Sequence, residues 1–540
     1  MRKAFARLRT TALTTAFVLA TIPMISIAAP GIAMAEQVLH RGNGTEPETL
    51  DPHKSTGVTE NVIENDLYEG LVTLSAEGKQ VPGVAESWDI SDDGTVYTFH
   101  LRQDAKWSNG DPLTAEDFVY SFRRAVDPDT AADYAPILIP IRNAEAIIAG
   151  EMPVDQLGVK AVDPHTFRMT LNGPTPFILG VLSHNISFPV HRATVEKFGN
   201  EWTRPGNAVT NGAFMMTDWV PQSQVTVVKN PHFHDAENVK LDKIVYYPTE
   251  DLAEELKRFR AGELHITYDI PSEQIKWAEE NMADQFHNTP YFGTYYYVVN
   301  LTREPLGSSL KLRKALALAI DREILTDKVT QGGELPAYSW VPPGVEGYDQ
   351  QEVDFAKMSQ AERNALAKKL YAEAGYGPDN PLELELLYNT NENHRKIAIA
   401  VASMWKQTLG AQMTLTNKEW KVYLEDRDLK KHELARAAWI GDYVDPLNFL
   451  ELFLSNAGER NDAGYNNPEF DRLLAEAAKP ENVDKRMDIL EQAEAVFLAD
   501  MPLIPIYHYT TQHMISPDVQ GWEFNVLDIH PGRYISLKSS

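Results

Sequence analysis

Apolar and polar positions follow two periods along this chain. Residues 97–101 and 382–388 alternate with period two, as half-buried strands do. Residues 114–124 carry Phe118, Tyr120 and Phe122 behind the acidic opening Thr114-Ala115-Glu116-Asp117, the pattern of an amphipathic helix. Further strands are expected at 37–41, 225–228, 243–247, 263–268, 291–300, 413–417 and 504–509, with two more in 157–171. Helices are expected at 59–71, capped by Thr59, and at 174–182, 251–260, 310–329, 359–374, 394–409, 468–477 and 484–499, with another starting in 418–427. Ser91-Asp92-Asp93-Gly94 reads as a hairpin turn, since the glutamate closing a calcium loop would fall on His100. Strands and helices interleave throughout, which predicts α/β lobes. No repeat or low-complexity linker marks a boundary.

The run Glu433 to Pro446, ELARAAWIGDYVDP, sets the chemical question. Leu434 to Ile440 is apolar and short, and a Gly-Asp turn ends it, so it reads as a buried strand. Arg436 sits inside it and Asp442 just after it. A buried charge without a partner costs several kcal/mol, so each needs one. They pair with each other, or with other protein groups, or with a ligand carrying both charges. An ammonium on Asp442 and a carboxylate on Arg436 describe a short peptide with free ends.

Composition narrows the classes. The 540 residues are 43% hydrophobic and 10% aromatic, enough to bury a large core. Ten Trp and 22 Tyr either pack that core or wall a large pocket. Lys and Arg total 50 against 77 Asp and Glu, and an acidic chain without a basic tract argues against nucleic-acid binding. No cysteine is present, which excludes disulfides, thiol catalysis and lipoprotein acylation. Residues 1–35 read as a secretory signal: basic Arg2, Lys3, Arg7 and Arg9, an apolar stretch interrupted by Pro23, then Ala33-Met34-Ala35. Cleavage is expected after Ala35. The alternative, a retained anchor, conflicts with Pro23 and the cleavage pattern. Removing the four basic residues leaves 46 against 77 acidic, a net charge of −31.

Catalytic patterns are missing. There is no G-x-S-x-G, H-E-x-x-H or P-loop, and His432-Glu433 is followed by Arg436 where a zincin needs histidine. His232 and His234 form an H-x-H pair without further ligands at useful spacing, so no metal and no cofactor are expected.

The run from Glu433 closely resembles the periplasmic oligopeptide-binding proteins of ABC importers. The likeness extends from about Leu39 to the end. It includes GTEPETLDPHKSTG (44–57), DLYEGLV (66–72), the stretch 81–128 and GTYYYVVN (293–300). Residues 386–406, LLYNTNENHRKIAIAVASMWK, are most similar to the murein-tripeptide branch. The resemblance implies an α/β fold of two hinge-linked lobes with an extra domain, and ligand in the cleft. Lobe I would comprise 36–68, 193–292 and 510–540, the extra domain 69–192 and lobe II 293–509. It implies a monomer in the periplasm that takes a short peptide, passes it to an inner-membrane ABC permease and is no enzyme. A binder of an opine, nickel chelate or sugar on the same scaffold is the alternative, and a secreted peptidase is a remoter one.

Carried over by resemblance, Asp442 would take the ammonium, with Gly441 beside it. Arg436 and Arg427 would face carboxylates. His394 would meet the end of longer peptides, Trp420, Trp439 and Tyr134 would wall the pocket, and Val58 would pair its backbone with the ligand. Tyr268 completes the expected set. The chain departs from the general oligopeptide binders at Thr56 and Val298, where they carry acids, and at Thr330, where they carry lysine. Fewer acids, with both arginines kept, favour an acidic ligand such as the murein tripeptide.

Overall fold

Among the residues described in this computed structural model (36–418, 420–478 and 483–538), three sheets have four or more strands. The expected signal segment lies outside the described residues. Each sheet is apolar on at least one face and anchors its own core, as layered domains require. Lobe I holds Val38–Gly42, Lys243–Tyr247, Gln224–Lys229 and Phe214–Val220, in that order across the sheet. Its core includes Leu39, Phe214, Val227, Ile244 and Trp202. The extra domain orders Ala85–Ile90, Val96–Leu101, Thr166–Thr170 and Val159–Asp163 as an antiparallel sheet. The helix Ala115–Val126 covers it, opened by a Thr114/Asp117 capping box, and buries Phe118 and Phe122 against Phe167.

Lobe II carries six strands. Their order is Leu335–Pro336, Leu503–Met514, Phe286–Val299, Leu434–Ile440, Glu383–Asn389 and Gln412–Lys418. The last two pair in parallel, with the helix Glu392–Leu409 as their crossover. Leu434–Ile440 lies inside the sheet, between Phe286–Val299 and Glu383–Asn389, which explains its unbroken apolar run.

Two long strands cross between lobes. Phe286–Val299 pairs antiparallel with Leu503–Met514. At one end Phe286 and Met514 pack with Leu256, Phe259 and Ile275; at the other, Tyr295 to Val299 enter the lobe II core. The register slips between the Pro290 and Thr294 pairs, so the ladder is interrupted where the strands leave one core for the other.

The structure corrects four local expectations. Gly57, not Thr59, caps the helix Val58–Leu67; Thr59 lies inside it and donates to Glu60. The helix expected over 310–329 breaks after Leu310–Leu318, because the Asp321 side chain accepts from Ile324 N–H and starts a new turn. Residues 263–268 form no strand; Ile266 alone bridges Arg41 and Ile515. The helix expected over 174–182 begins at Ile178.

Candidate ligand cleft

The strand Leu434–Ile440 ends in a loop that fixes Asp442. Gly441 lies against Phe292 so closely that a Cβ there would come within 2.3 Å of its ring. Its N–H donates to Phe292 O at 2.7 Å. Asn448 then clamps the turn. Its Oδ1 accepts from Trp439 Nε1 at 3.0 Å and from Asp442 N–H at 3.1 Å, and its Nδ2 donates to the Asp442 carboxylate at 3.4 Å. Asp445, three residues on, is neutralised by a two-bond Arg486 fork at 2.7 and 2.8 Å. Asp442 makes no ion pair among the described residues. Burial pushes its carboxyl up to about 6, against a smaller pull from Asn448 and Arg460.

Asp442 opens onto a cavity of about 120 Å³ between the three cores. Lobe I contributes Ser55 to Val58, the extra domain Tyr134, His184 and Asn185, the hinge strand Tyr291, and lobe II Ile440 to Asp442. Two carboxyls near the cavity, Glu64 and Asp528, are already engaged. Glu64 lies behind the wall, accepting from Ser55 Oγ and Asn185 Nδ2 at 2.8 and 2.7 Å, and burial raises it to about 8, so it is protonated at neutral pH. Asp528 pairs with His513 and His530, each at 3.0 Å. Of the two acids that line the cavity, Asp528 is paired and Asp442 has no ion pair among the described residues.

Arg436 lies six residues before Asp442 and is 8% exposed. Its guanidinium meets Asn389 Oδ1 and Tyr509 Oη, each at 3.3 Å, and sits 4.8 Å over the Tyr295 ring. Its Nε is buried without a partner, and no carboxylate pairs with it among the described residues. Arg436 and Asp442 therefore do not neutralise one another. His394 stands 5.6 Å from Tyr295. Burial, and then the Arg436 charge, push its imidazole down to about 3, so it is neutral.

Arg427 departs from expectation. It is neither solvated nor open to a guest: its Nε donates to Asp462 at 2.8 Å, and a second nitrogen reaches the same oxygen. Tyr268, Arg436, Arg427, His394 and Trp439 are not among the residues lining the cavity; the Tyr268 ring lies under Gly44, whose φ of +66° and missing Cβ permit the approach. Val58 and Tyr134 do line it. Val58 is the first residue of its helix, which leaves its N–H without an intrahelical acceptor. Trp439 borders the Asp442 turn. Trp420 starts the helix Trp420–Asp428, and its side chain lies outside the described residues. Of the departures, Thr56 lines the cavity, Val298 is buried in its strand, and Thr330 donates to Glu334 at 2.8 Å. Sequence reasoning missed Asn448 and Asp462; no local pattern marks either, since each acts on a residue reached only by folding.

The cleft is closed by contact between lobes. Phe177 of the extra domain stacks on Tyr443 of lobe II, centroids 5.4 Å apart and planes 4° off parallel. Phe177 also packs on both of those cores. Aromatic pairs of this kind contribute about 0.5–1.5 kcal/mol beyond burial. Phe177→Ala is expected to enlarge the radius of gyration of the ligand-free protein in small-angle scattering and to weaken ligand binding roughly tenfold; an unchanged scattering curve would refute that role.

These features define a two-lobed solute-binding protein with a cavity between its lobes. Residues 79–461 match the family model described as bacterial extracellular solute-binding proteins, family 5. The chain is 41% identical over 512 residues to the periplasmic oligopeptide-binding protein OppA of Salmonella typhimurium, covering 94% of each chain. It is 42% identical over 498 residues to the periplasmic murein peptide-binding protein MppA of Escherichia coli, covering 92% of each. The solved structure of that murein tripeptide binding protein superposes with a TM-score of 0.82 at 41% identity, covering 93% of this chain and 99% of that one. The chain belongs to family 5 of the bacterial extracellular solute-binding proteins.

Proposed function

We propose that this chain is a periplasmic receptor that captures short peptides and delivers them to an ABC importer in the inner membrane, as a monomer and without making or breaking bonds. The observation that carries this reading is the pair of complementary, separately uncompensated charges, Asp442 and Arg436, on one strand and its turn. Four residue steps along the strand run from Arg436 to Ile440, about 13 Å at about 3.3 Å per step. That is the reach of roughly four extended residues. A peptide's ammonium at Asp442 and an anion near Arg436 would complete both. The proposed bodies are 36–68, 193–292 and 510–540 for lobe I, 69–192 for the extra domain and 293–509 for lobe II. Phe188 and Val190, inside the second range, pack with the lobe I core, and Leu527 with that of lobe II, so the chain crosses between bodies there.

Whole-chain likeness at 41% to an oligopeptide binder and 42% to a murein peptide binder does not choose between ligands. Charge does more. The preference for an acidic ligand argued from two open arginines loses one of them, because Arg427 is held by Asp462. Neutral short peptides with free ends fit the remaining pair. Titration calorimetry with Ala-Ala-Ala and its N-acetyl form tests the reading. The free peptide is expected to bind and the acetylated one to lose at least tenfold; equal binding of the two would reject it.

A further inference from the structure

We propose that Asp462 determines how many carboxylates the ligand can carry, by occupying Arg427 and leaving Arg436 as the guanidinium without a protein counter-ion among the described residues. This rests on the peptide-receptor reading. All three guanidinium nitrogens of Arg427 are engaged: two by Asp462 Oδ2 and the third by Tyr423 Oη at 3.3 Å. Asp462 is 1% exposed, and its other oxygen is buried without a partner among the described residues. A ligand carboxylate that took Arg427 would leave Asp462 as a buried, unpaired anion, a heavy penalty. The exchange is therefore unfavourable, and Arg427 stays with the protein.

Arg436 is arranged in the opposite way. The same Tyr423 hydroxyl donates to the Arg436 backbone carbonyl, so one tyrosine joins the two arginines. Yet the Arg436 guanidinium meets only neutral oxygens and an aromatic face, with Nε unpartnered. Two cations in neighbouring positions thus differ in whether the protein supplies the counter-ion. The protein supplies it for one, and the guest for the other. Asp462 is a positioning residue here: it acts on specificity through Arg427 and touches no ligand itself.

The readout is a ratio of affinities, which a merely structural role would not move. Ala-Ala-Ala is compared by calorimetry with Ala-Glu-Ala and Ala-Ala-Glu, in the wild type, in Asp462→Asn and in Arg427→Gln/Asp462→Asn. Asp462→Asn is expected to shift the ratio at least tenfold toward the better acidic peptide, with a gain that fades as salt is raised. The double variant, which removes the pair together, is expected to keep the wild-type ratio within twofold. An unchanged ratio in a folded Asp462→Asn protein overturns the proposal. So does a tenfold loss of acidic-peptide affinity in the double variant, which would place Arg427 on the ligand. If Asp462→Asn does not fold, the double variant decides. Failure of the wild type to bind any of the three peptides would instead reject the peptide-receptor reading.

Discussion

Asp442→Asn is expected to weaken Ala-Ala-Ala binding by about 100-fold, within the range for removing one partner of a buried charge pair. The variant keeps the Asn448 clamp's backbone bond and the cavity's shape, so the loss reports charge. Its empty form is expected to be no less heat-stable than the wild type. In the wild type the folded carboxyl sits at about 6, raised by burial above its unfolded value of about 3.9. The folded state then holds more protons between those values. This contribution to stability is full below about pH 4 and lost as pH rises through 6. At pH 7.5 the wild type carries an ionised acid with no ion pair among the described residues; the asparagine variant does not. Binding has the reverse dependence. The ammonium takes the ionised form, so wild-type affinity is expected to fall below pH 6, by up to tenfold per unit, while the variant stays flat. Calorimetry at pH 5, 6 and 7.5, with melting curves beside it, checks both; a variant that binds like the wild type at pH 7.5 would remove Asp442 from the site.

Arg436→Met is the second large effect. Methionine fills part of the volume, contacts the Tyr295 face and leaves no buried cation. Uncompensated buried charge is destabilising, and its replacement by apolar volume is often neutral or better. The variant is therefore expected to melt at or above the wild-type temperature while losing recognition of the peptide's carboxylate. In the wild type, Ala-Ala-Ala is expected to exceed its C-terminal amide by about 10- to 100-fold, the worth of one or two charge-assisted bonds. In the variant the two are expected to bind alike. An amide that binds as well as the acid in the wild type would show that Arg436 meets some other part of the guest.

Much of this was legible before folding because burial writes itself into local pattern. The unbroken apolar run at Leu434–Ile440 marked an interior strand, and its position between two neighbours explains the run. The opening Thr114-Ala115-Glu116-Asp117 announced its helix, and the structure closes it with a Thr114/Asp117 capping box. Failures came where one residue overruled a pattern. Asp321 reads as an ordinary polar position in a helix, yet its carboxylate prefers the free N–H of Ile324 and restarts the helix. Residues 263–268 alternate correctly but find a neighbour only at Ile266. The site divides the same way. Asp442 and Arg436 were found because charge in an apolar run is conspicuous. Arg427 was misjudged because its counter-ion is 35 residues downstream, a distance no spacing rule spans. Asp445 and Asp442 look alike in sequence, and only the arrival of Arg486 from a later helix separates them.

The shut cleft has a kinetic corollary. A pocket for a drug-sized molecule measures about 300–1,000 Å³, whereas the space beside Asp442 measures about 120 Å³. A space of that size does not hold a tripeptide. Guests must meet molecules in which Phe177 and Tyr443 have already parted, and these are a fraction of the population. At rising peptide concentration the observed capture rate should then level off at the speed of that parting, so a stopped-flow plateau would time the doorway itself.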